Sequence, residues 1–401
     1  MTLGTSLPLE GVRVLDCTQV LAGPFCSQLL ADMGADVIKV ERPDGGDETR
    51  KGPPYINGRS ASFLAVNRNK RGLALDLRRN EGQEVLKALC ATADVLVENF
   101  RPGTMQRLGL GYEDLEKLRP ELIYCSISGF GQTGPYSSRG GFDLIAQGMS
   151  GLMSVTGTPG GPPAKVGVPI TDLTAGMYGA YGILSAYIHR LKTGKGQQVD
   201  ISLMEAGIAY TVWESTVYFA TGEVPGPLGS AHRLSAPYRA LRTSDGYITI
   251  GGAAQVLWEK MCNAIGRAEL LDDPRFGSRG DRKANDDELA ELLEETFSTK
   301  TTEHWMEVLE QVGVPAGPIN DLDQVYHDPH VQARRMEVDL DDPELGLLRN
   351  IGIPVKLSNT PGSIRHRGPA LGEHTREVLE DGGFTTGEID ALLEAGVVKA
   401  S

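Results

Sequence analysis

Cysteine is scarce and scattered: Cys17, Cys26, Cys90, Cys125 and Cys262 are odd in number and never spaced C-x-x-C, which argues against a disulfide framework or a structural zinc site. Positive charge is in deficit. Lysine and arginine total 39 against 53 aspartates and glutamates, a net charge of −14, so no broad polyanion-binding face is expected and nucleic acid is not a partner. No apolar run reaches the roughly 18 residues needed to span a bilayer, and residues 1–9 lack the basic-then-apolar order of a secretory leader. The expectation is a cytoplasmic protein with no membrane association. The Walker pattern, the G-x-S-x-G elbow and the H-E-x-x-H helix are missing. His327-Asp-Pro-His330 is the nearest approach to a metal pair and reads as a solvated loop, so no metal site is expected.

Glycine, by contrast, is plentiful. Fifty glycines and 23 prolines in 401 residues show no period, and 40% of the chain is apolar, which excludes collagen and bulk disorder. The length suits two or three domains.

Val12 to Thr18 reads as a buried strand, Ala22 to Met33 as a helix stopped by Gly34, and Asp36 to Glu41 as a second strand, a βαβ unit. The pattern continues with strands at Gly72 to Leu77, Asp94 to Asn99 and Leu122 to Ser128, and helices at Glu81 to Ala93 and Tyr112 to Leu118. This predicts an α/β fold built on an open, mostly parallel sheet with helices on both faces. Helices are expected over Phe142 to Leu152 and Leu173 to Leu191, and a strand at Gln198 to Ser202. The expected organisation is a large domain over 1–218 completed by 346–401, a linker at 219–235, a smaller α+β domain at 236–331 and a return linker at 332–345.

Gly129-Phe-Gly-Gln-Thr-Gly134 matches G-x-G-x-x-G, but it follows the fifth strand and leads into Pro135 rather than a helix, so a Gly-rich turn is the better reading than a dinucleotide site. Asp172, in Ile170-Thr-Asp-Leu-Thr-Ala-Gly176, follows a Gly/Pro-rich loop at the start of a helix. It reads either as an N-cap or as an accessible carboxylate nucleophile with small residues and backbone amides around it.

Seven segments in order decide how to weigh these: Gly11 to Pro24, Gly34 to Glu41, Asn67-Arg-Asn-Lys70, Val97 to Gly103, Gly129 to Pro135, Thr171-Asp172 and Leu371-Gly-Glu-His374. Together the chain from Pro8 onward resembles the class III coenzyme A transferases, the relatives of formyl-CoA and carnitine-CoA transferases, and most closely their dicarboxylate, succinyl-CoA-using branch. The resemblance implies a Rossmann-like large domain, an interlocked ring-like homodimer, and CoA transfer from an acyl-CoA to a carboxylic acid through aspartyl mixed-anhydride and aspartyl-CoA thioester intermediates. It makes Asp172 the catalytic nucleophile. Val20, Leu21, Ala22, Leu75, Asn99 and Phe100 would contact the cofactor moiety, and Arg42, Arg78, Arg101, Arg107 and Arg139 would converge on its phosphates and adenine. Gln19, His232 and Arg233 would lie near the acyl group. Coenzyme A is a substrate here, and no permanently bound cofactor is implied.

Leu21 stands where formyl-CoA and oxalate enzymes carry a glutamine, and Gly226 to Pro237 is not a glycine run; both depart from oxalate specificity. Three alternatives stand beside the main reading. One is 2-methylacyl-CoA racemisation, whose Gly-His-Asp motif reads Gly141-Phe142-Asp143 here. The others are intramolecular CoA transfer within one dicarboxylate, and a non-catalytic acyl-CoA-binding protein.

Overall fold

The computed structural model describes residues 7–401. The chain divides into two compact units: residues 7–153, 165–223 and 330–401 form the first, and 154–164 with 224–329 the second.

The first unit begins with β1 (Arg13–Asp16), α1 (Ala22–Asp32) and β2 (Asp36–Glu41), and continues with β3 (Lys70–Leu75), α2 (Asn80–Cys90), β4 (Val95–Glu98), α3 (Tyr112–Leu118) and β5 (Ile123–Ser128). Then come α4 (Asp143–Met149), the long α5 (Ile170–Thr193), β6 (Gln198–Ser202), α6 (Leu203–Ala209) and α7 (Val212–Thr221). No helix or strand occurs between Thr221 and Tyr238. The second unit carries a three-stranded antiparallel sheet of β7 (Tyr238–Arg242), β8 (Tyr247–Gly251) and β9 (Ala316–Pro318), with helices α8 (Gln255–Ala264), α9 (Asp286–Phe297) and α10 (Thr302–Gln311). Its own core gathers Leu241, Ile250, Trp258, Leu293 and Phe297. The chain then returns to the first unit with β10 (Glu337–Asp342), β11 (Gly346–Ile351), α11 (Thr375–Asp381), α12 (Thr386–Glu394) and β12 (Val398–Lys399).

The large sheet runs β12-β3-β2-β1-β4-β5-β6, parallel throughout except for β12, which pairs antiparallel with β3 at the edge. Period-2 alternation explains how one sheet feeds two cores. Val14, Val37, Val95 and Ile123 point to the α1 and α5 side, whereas Leu15, Ile38, Leu96 and Tyr124 join α2, α3, α11 and α12 on the other. Chain order reverses at β1, whose neighbours are β2 and β4. At such a switch point the connections leave in opposite directions and open a crevice beyond the strands' carboxyl ends.

Two expected boundaries move. Residues 154–164 cluster with the second unit instead of the first. The expected return linker at 332–345 contains β10, which forms an antiparallel hairpin with β11, Leu340 facing Leu348. Alternate positions of β10 are acidic, Asp339 and Asp341, so its apolar half was too thin to be distinguished from a loop.

Helix α5 packs along α1 at unusually short range. A Cβ on Gly176 would sit 2.7 Å from the Ala22 carbonyl oxygen, and one on Gly179 2.9 Å from Cys26 Sγ. Glycine at these positions lets the two backbones approach, and that approach brings the first turn of α5 toward the turn between β1 and α1. A second crossing works alike: Gly129 and Gly141 meet backbone to backbone, a Cβ on Gly129 falling 2.6 Å from the Gly141 Cα.

Candidate functional site

At the switch point lies a cleft of about 350 Å³. Its walls come from the β1–α1 turn (Gln19, Val20, Leu21, Ala22), the end of β4 (Asn99, Phe100, Arg101), the Gly129–Gly141 crossing with Phe142, and Asp172.

Each wall has a reason to stay where it is. Asn99 clamps Gln19, its side-chain oxygen accepting the Gln19 N–H at 2.8 Å and its amide donating to the Gln19 carbonyl at 2.7 Å. Glu98, buried at the end of β4, accepts the Phe100 N–H at 2.9 Å, and burial pushes its carboxyl up to about 7. Arg101 lies over Gly140, whose missing side chain leaves it room. Phe142 stands largely exposed against the cleft.

Asp172 is not the N-cap of α5. Helix α5 begins at Ile170 with Pro169 in the capping position, which puts Asp172 third in the first turn. The capping is done from a distance: Asp143 Oδ1 accepts the Thr171 N–H at 3.0 Å and the Thr171 hydroxyl at 2.8 Å, and Asp143 Oδ2 accepts from Gln147 at 2.8 Å. Among the described residues no hydrogen bond reaches the Asp172 carboxylate. Burial, and secondarily the charge of Asp143, push it up to about 6. It therefore remains ionised at neutral pH while being less well solvated than an ordinary carboxylate, a combination suited to nucleophilic attack.

Beneath the cleft is a buried charge network. Asp16, fully buried, accepts from Ser27 at 2.6 Å, from Lys70 at 2.8 Å and from the Thr18 N–H at 2.9 Å. Burial alone would raise its pKa, but Lys39 and Lys70 outweigh it and hold the carboxyl well below the usual range. Lys39 donates to the Thr18 carbonyl at 2.6 Å and to Asp47 at 3.1 Å.

The structure thus brings Gln19, Val20, Leu21, Ala22, Asn99, Phe100, Arg101 and Asp172 into one cleft. It does not bring the five arginines to one point. Arg42 pairs with Glu48 and Asp44, and Arg78 with Asp76 at 2.8 Å and Asp44 at 3.3 Å, so these two meet at Asp44. Arg107 turns back to the Thr104 hydroxyl at 3.0 Å, and Arg139 lies over the Tyr136 ring. The expected convergence is corrected to Arg101 in the cleft wall and a separate Arg42–Asp44–Arg78 group held by short-range acids, while a hydroxyl and an aromatic ring close in the chain engage Arg107 and Arg139. The Leu75 side chain is also corrected, since it is 1% exposed in the core and presents nothing to a ligand. His232 and Arg233 belong to the second unit, where His232 accepts the Leu234 N–H and packs against Tyr238, and Arg233 donates to the Gly226 carbonyl at 2.7 Å.

Asp143, Asp47 and Lys39 are supporting residues whose roles no sequence motif marks. Gly141-Phe-Asp143 shows in sequence only its missing histidine, and nothing in the sequence ties Asp143 to Thr171.

Comparison with known proteins agrees with this geometry. The family model described as CoA-transferase family III matches residues 9–375. The chain is 40% identical over 394 residues to the mouse (Mus musculus) succinyl-CoA:glutarate CoA-transferase, covering 98% of this chain and 90% of that protein. It is 39% identical over 390 residues to the succinyl-CoA–D-citramalate CoA-transferase of Chloroflexus aurantiacus, covering 97% of each. Among solved structures, a CAIB/BAIF family protein from Brucella suis superposes with a TM-score of 0.84 at 40% identity, covering 94% of this chain and all of that one. An open parallel sheet with a carboxylate-bearing cleft at its switch point, and near full-length similarity to these enzymes, have one common source: the chain belongs to CoA-transferase family III.

Proposed function

We propose that this chain transfers coenzyme A from succinyl-CoA, or another C4 to C6 dicarboxyl-CoA, to a carboxylic acid, with Asp172 as nucleophile. The observation that carries the reading is the Asp172 carboxylate itself, ionised at neutral pH, without a protein hydrogen-bond partner among the described residues and facing the Val20–Ala22 turn across the cleft. A carboxylate oxygen attacks the thioester carbonyl and the C–S bond breaks, giving an aspartyl mixed anhydride and CoA thiolate. The thiolate attacks the aspartyl carbonyl and expels the donor acid, leaving an aspartyl-CoA thioester. The acceptor carboxylate attacks that thioester to form a second anhydride, and the thiolate then takes its acyl group, freeing Asp172. Every intermediate keeps an activated acyl bond, so no further energy source enters.

In this reading Val20, Leu21, Ala22, Asn99, Phe100 and Arg101 hold the pantetheine and its phosphates. Arg42 and Arg78 exchange Asp44 for phosphate, and Arg107 and Arg139 remain candidate phosphate or adenine partners. Gln19 faces the acyl portion, and His232 and Arg233, in the second unit, remain the candidate partners of a distal carboxylate. The first unit is the CoA-binding one.

The active form in this proposal is a homodimer in the cytoplasm. Supporting the first, Tyr181, Ile188 and Leu191 on α5 and Trp213 and Phe219 on α7 are all more than half exposed, an apolar face of the kind that partners cover. Supporting the second, the five cysteines are free and buried. Racemisation is disfavoured because Phe142 exchanges no proton.

The test is to incubate the protein with succinyl-CoA and no acceptor, then add borohydride. Reduction of an aspartyl thioester turns Asp172 into homoserine, readable by peptide mass; no modification at Asp172 defeats the nucleophile assignment. Asp172→Ala is expected to abolish transfer while leaving CoA binding largely intact. Assay of succinyl-CoA against a panel of dicarboxylates identifies the acceptor.

A further inference from the structure

Val20 occupies a backbone conformation that its side chain disfavours. Its φ is +68°, in the left-handed region where Cβ crowds the backbone and where a β-branched residue is a true outlier. Such a conformation persists only where the surroundings over-determine it. Here they do so through consecutive backbone groups. Asp16 accepts the Thr18 N–H at 2.9 Å and Lys39 donates to the Thr18 carbonyl at 2.6 Å. Asn99 takes both the N–H and the carbonyl of Gln19. Asp47 accepts the Val20 N–H, at 3.1 Å from Oδ2 and 3.3 Å from Oδ1.

Asp47 is itself tightly fixed. It is 1% exposed, receives Lys39 on Oδ2 at 3.1 Å and Thr49 through N–H and hydroxyl on Oδ1 at 3.0 and 2.8 Å, and donates its own N–H to Glu41 at 2.9 Å. Glu41 in turn binds Arg50 through both carboxylate oxygens. A buried, paired carboxylate at this depth is a poor stabilising device by itself, because desolvation offsets most of the attraction. What it supplies is a rigid acceptor aimed at one N–H.

We propose that Asp47, braced by Lys39, is a positioning residue for the acyl-CoA substrate: by holding the Val20 N–H it keeps Val20 left-handed and so presents the Val20–Ala22 segment to the cleft that contains Asp172. The inference rests on the functional reading above and assigns the recognition of the CoA moiety to a preorganised turn. Asp47 touches neither substrate nor the reacting atoms; it acts through Val20.

The test compares wild type, Asp47→Asn, Val20→Gly, and Asp47→Asn with Val20→Gly, reading the Kd for CoA by calorimetry and the KM for succinyl-CoA and for the acceptor acid by transfer assay. Asparagine leaves Lys39 facing an amide and loosens the hold on Val20. The expected result is a rise of about tenfold in the CoA Kd and the succinyl-CoA KM, with the acceptor KM unchanged. Glycine has no penalty for positive φ, and because Val20 also lines the cleft the single variant Val20→Gly is measured as the reference: in that background Asp47→Asn is expected to cost far less than it does in the parent. An unchanged Kd in Asp47→Asn overturns the proposal, and so does an equal loss in the Val20→Gly background, because a purely structural role would be indifferent to the backbone freedom of residue 20. Should Asp47→Asn not fold, Lys39→Met with Asp47→Leu replaces the buried pair by apolar side chains, which cores accept well, and the same comparison is read there. A wild type that binds CoA but transfers none to any acid defeats the transferase reading while the CoA Kd still decides the turn; a wild type that binds no CoA defeats both.

Discussion

The carboxylate of Asp143 accepts the backbone N–H of Thr171 at 3.0 Å, so a residue from the start of α4 caps the helix that carries Asp172, and its negative charge reaches the nucleophile next door. Asp143→Asn retains an acceptor for Thr171 and removes the charge. The carboxyl of Asp172 then ionises more easily, since burial remains but the repulsion is gone. The acid limb of kcat/KM, expected at about 6 in the parent, moves to lower pH in the variant, so the ratio of activity at about pH 5 to that at about pH 8 rises. A pH profile identical to the parent's contradicts this account.

Removing the nucleophile should strengthen the fold. The folded-state pKa of Asp172 lies above its ordinary value, at about 6, so its favourable contribution is complete in acid and is lost as pH rises through that value. At neutral pH the ionised group is a liability of up to about 3 kcal/mol. Asp172→Asn is expected to raise the denaturation midpoint at about pH 7.5 and to change it little near pH 4, even as it abolishes transfer. Thermal or urea unfolding at the two pH values checks the sign.

Gly176→Ala and Gly387→Ala make the same chemical change with opposite outcomes. The first places a methyl 2.7 Å from the Ala22 carbonyl oxygen, a backbone atom of α1 that cannot swing aside, and 3.0 Å from the Phe25 ring. It is expected to cost about 1–3 kcal/mol and to lower kcat by pushing α5 from α1. At Gly387, in α12, nothing lies within 4 Å, and alanine there adds about 0.4–1 kcal/mol of stability. Equal unfolding midpoints for the two variants would refute the close-packing argument.

Asp16 and Lys70 have fully buried side chains 2.8 Å apart. Asp16→Ala strands the lysine and is expected to destabilise by about 3–5 kcal/mol, whereas Asp16→Leu with Lys70→Met loses far less. Because the Asp16 carboxyl titrates well below its ordinary range, its stabilisation is present above about pH 4 and fades as pH falls beneath that. Denaturant titrations of the three proteins at neutral and acidic pH measure both effects.

Much of this architecture was legible in the order of residues, for reasons that differ from segment to segment. The strands of the large sheet announced themselves because they are buried on both faces and read as short apolar runs, Val95–Glu98 and Ile123–Ser128 among them. The elements flanking the cleft followed, since glycines and prolines mark where strands give way to turns. What escaped were relationships between distant positions that no local pattern encodes: Asp143 with Thr171, Asp47 with Val20, and the identity of each arginine's partner. Helix α5 begins at Ile170 rather than at the expected Leu173 for a related reason. Pro169 is well suited to the entry of a helix, yet its polar, Gly-rich approach hid the turn that begins at Ile170.

The pairing of Val398 with Leu75 has a consequence for how the chain is made. Strand β3 leaves the ribosome early, but the strand that covers its edge emerges only after the whole second unit has been synthesised. At roughly 5–20 residues per second, that edge stays unsatisfied for tens of seconds, a row of open backbone groups on a nascent chain whose apolar faces are already forming. Closure of the large sheet at this edge therefore waits until the second unit has been made, and in that interval the open edge is a site for pairing with other chains.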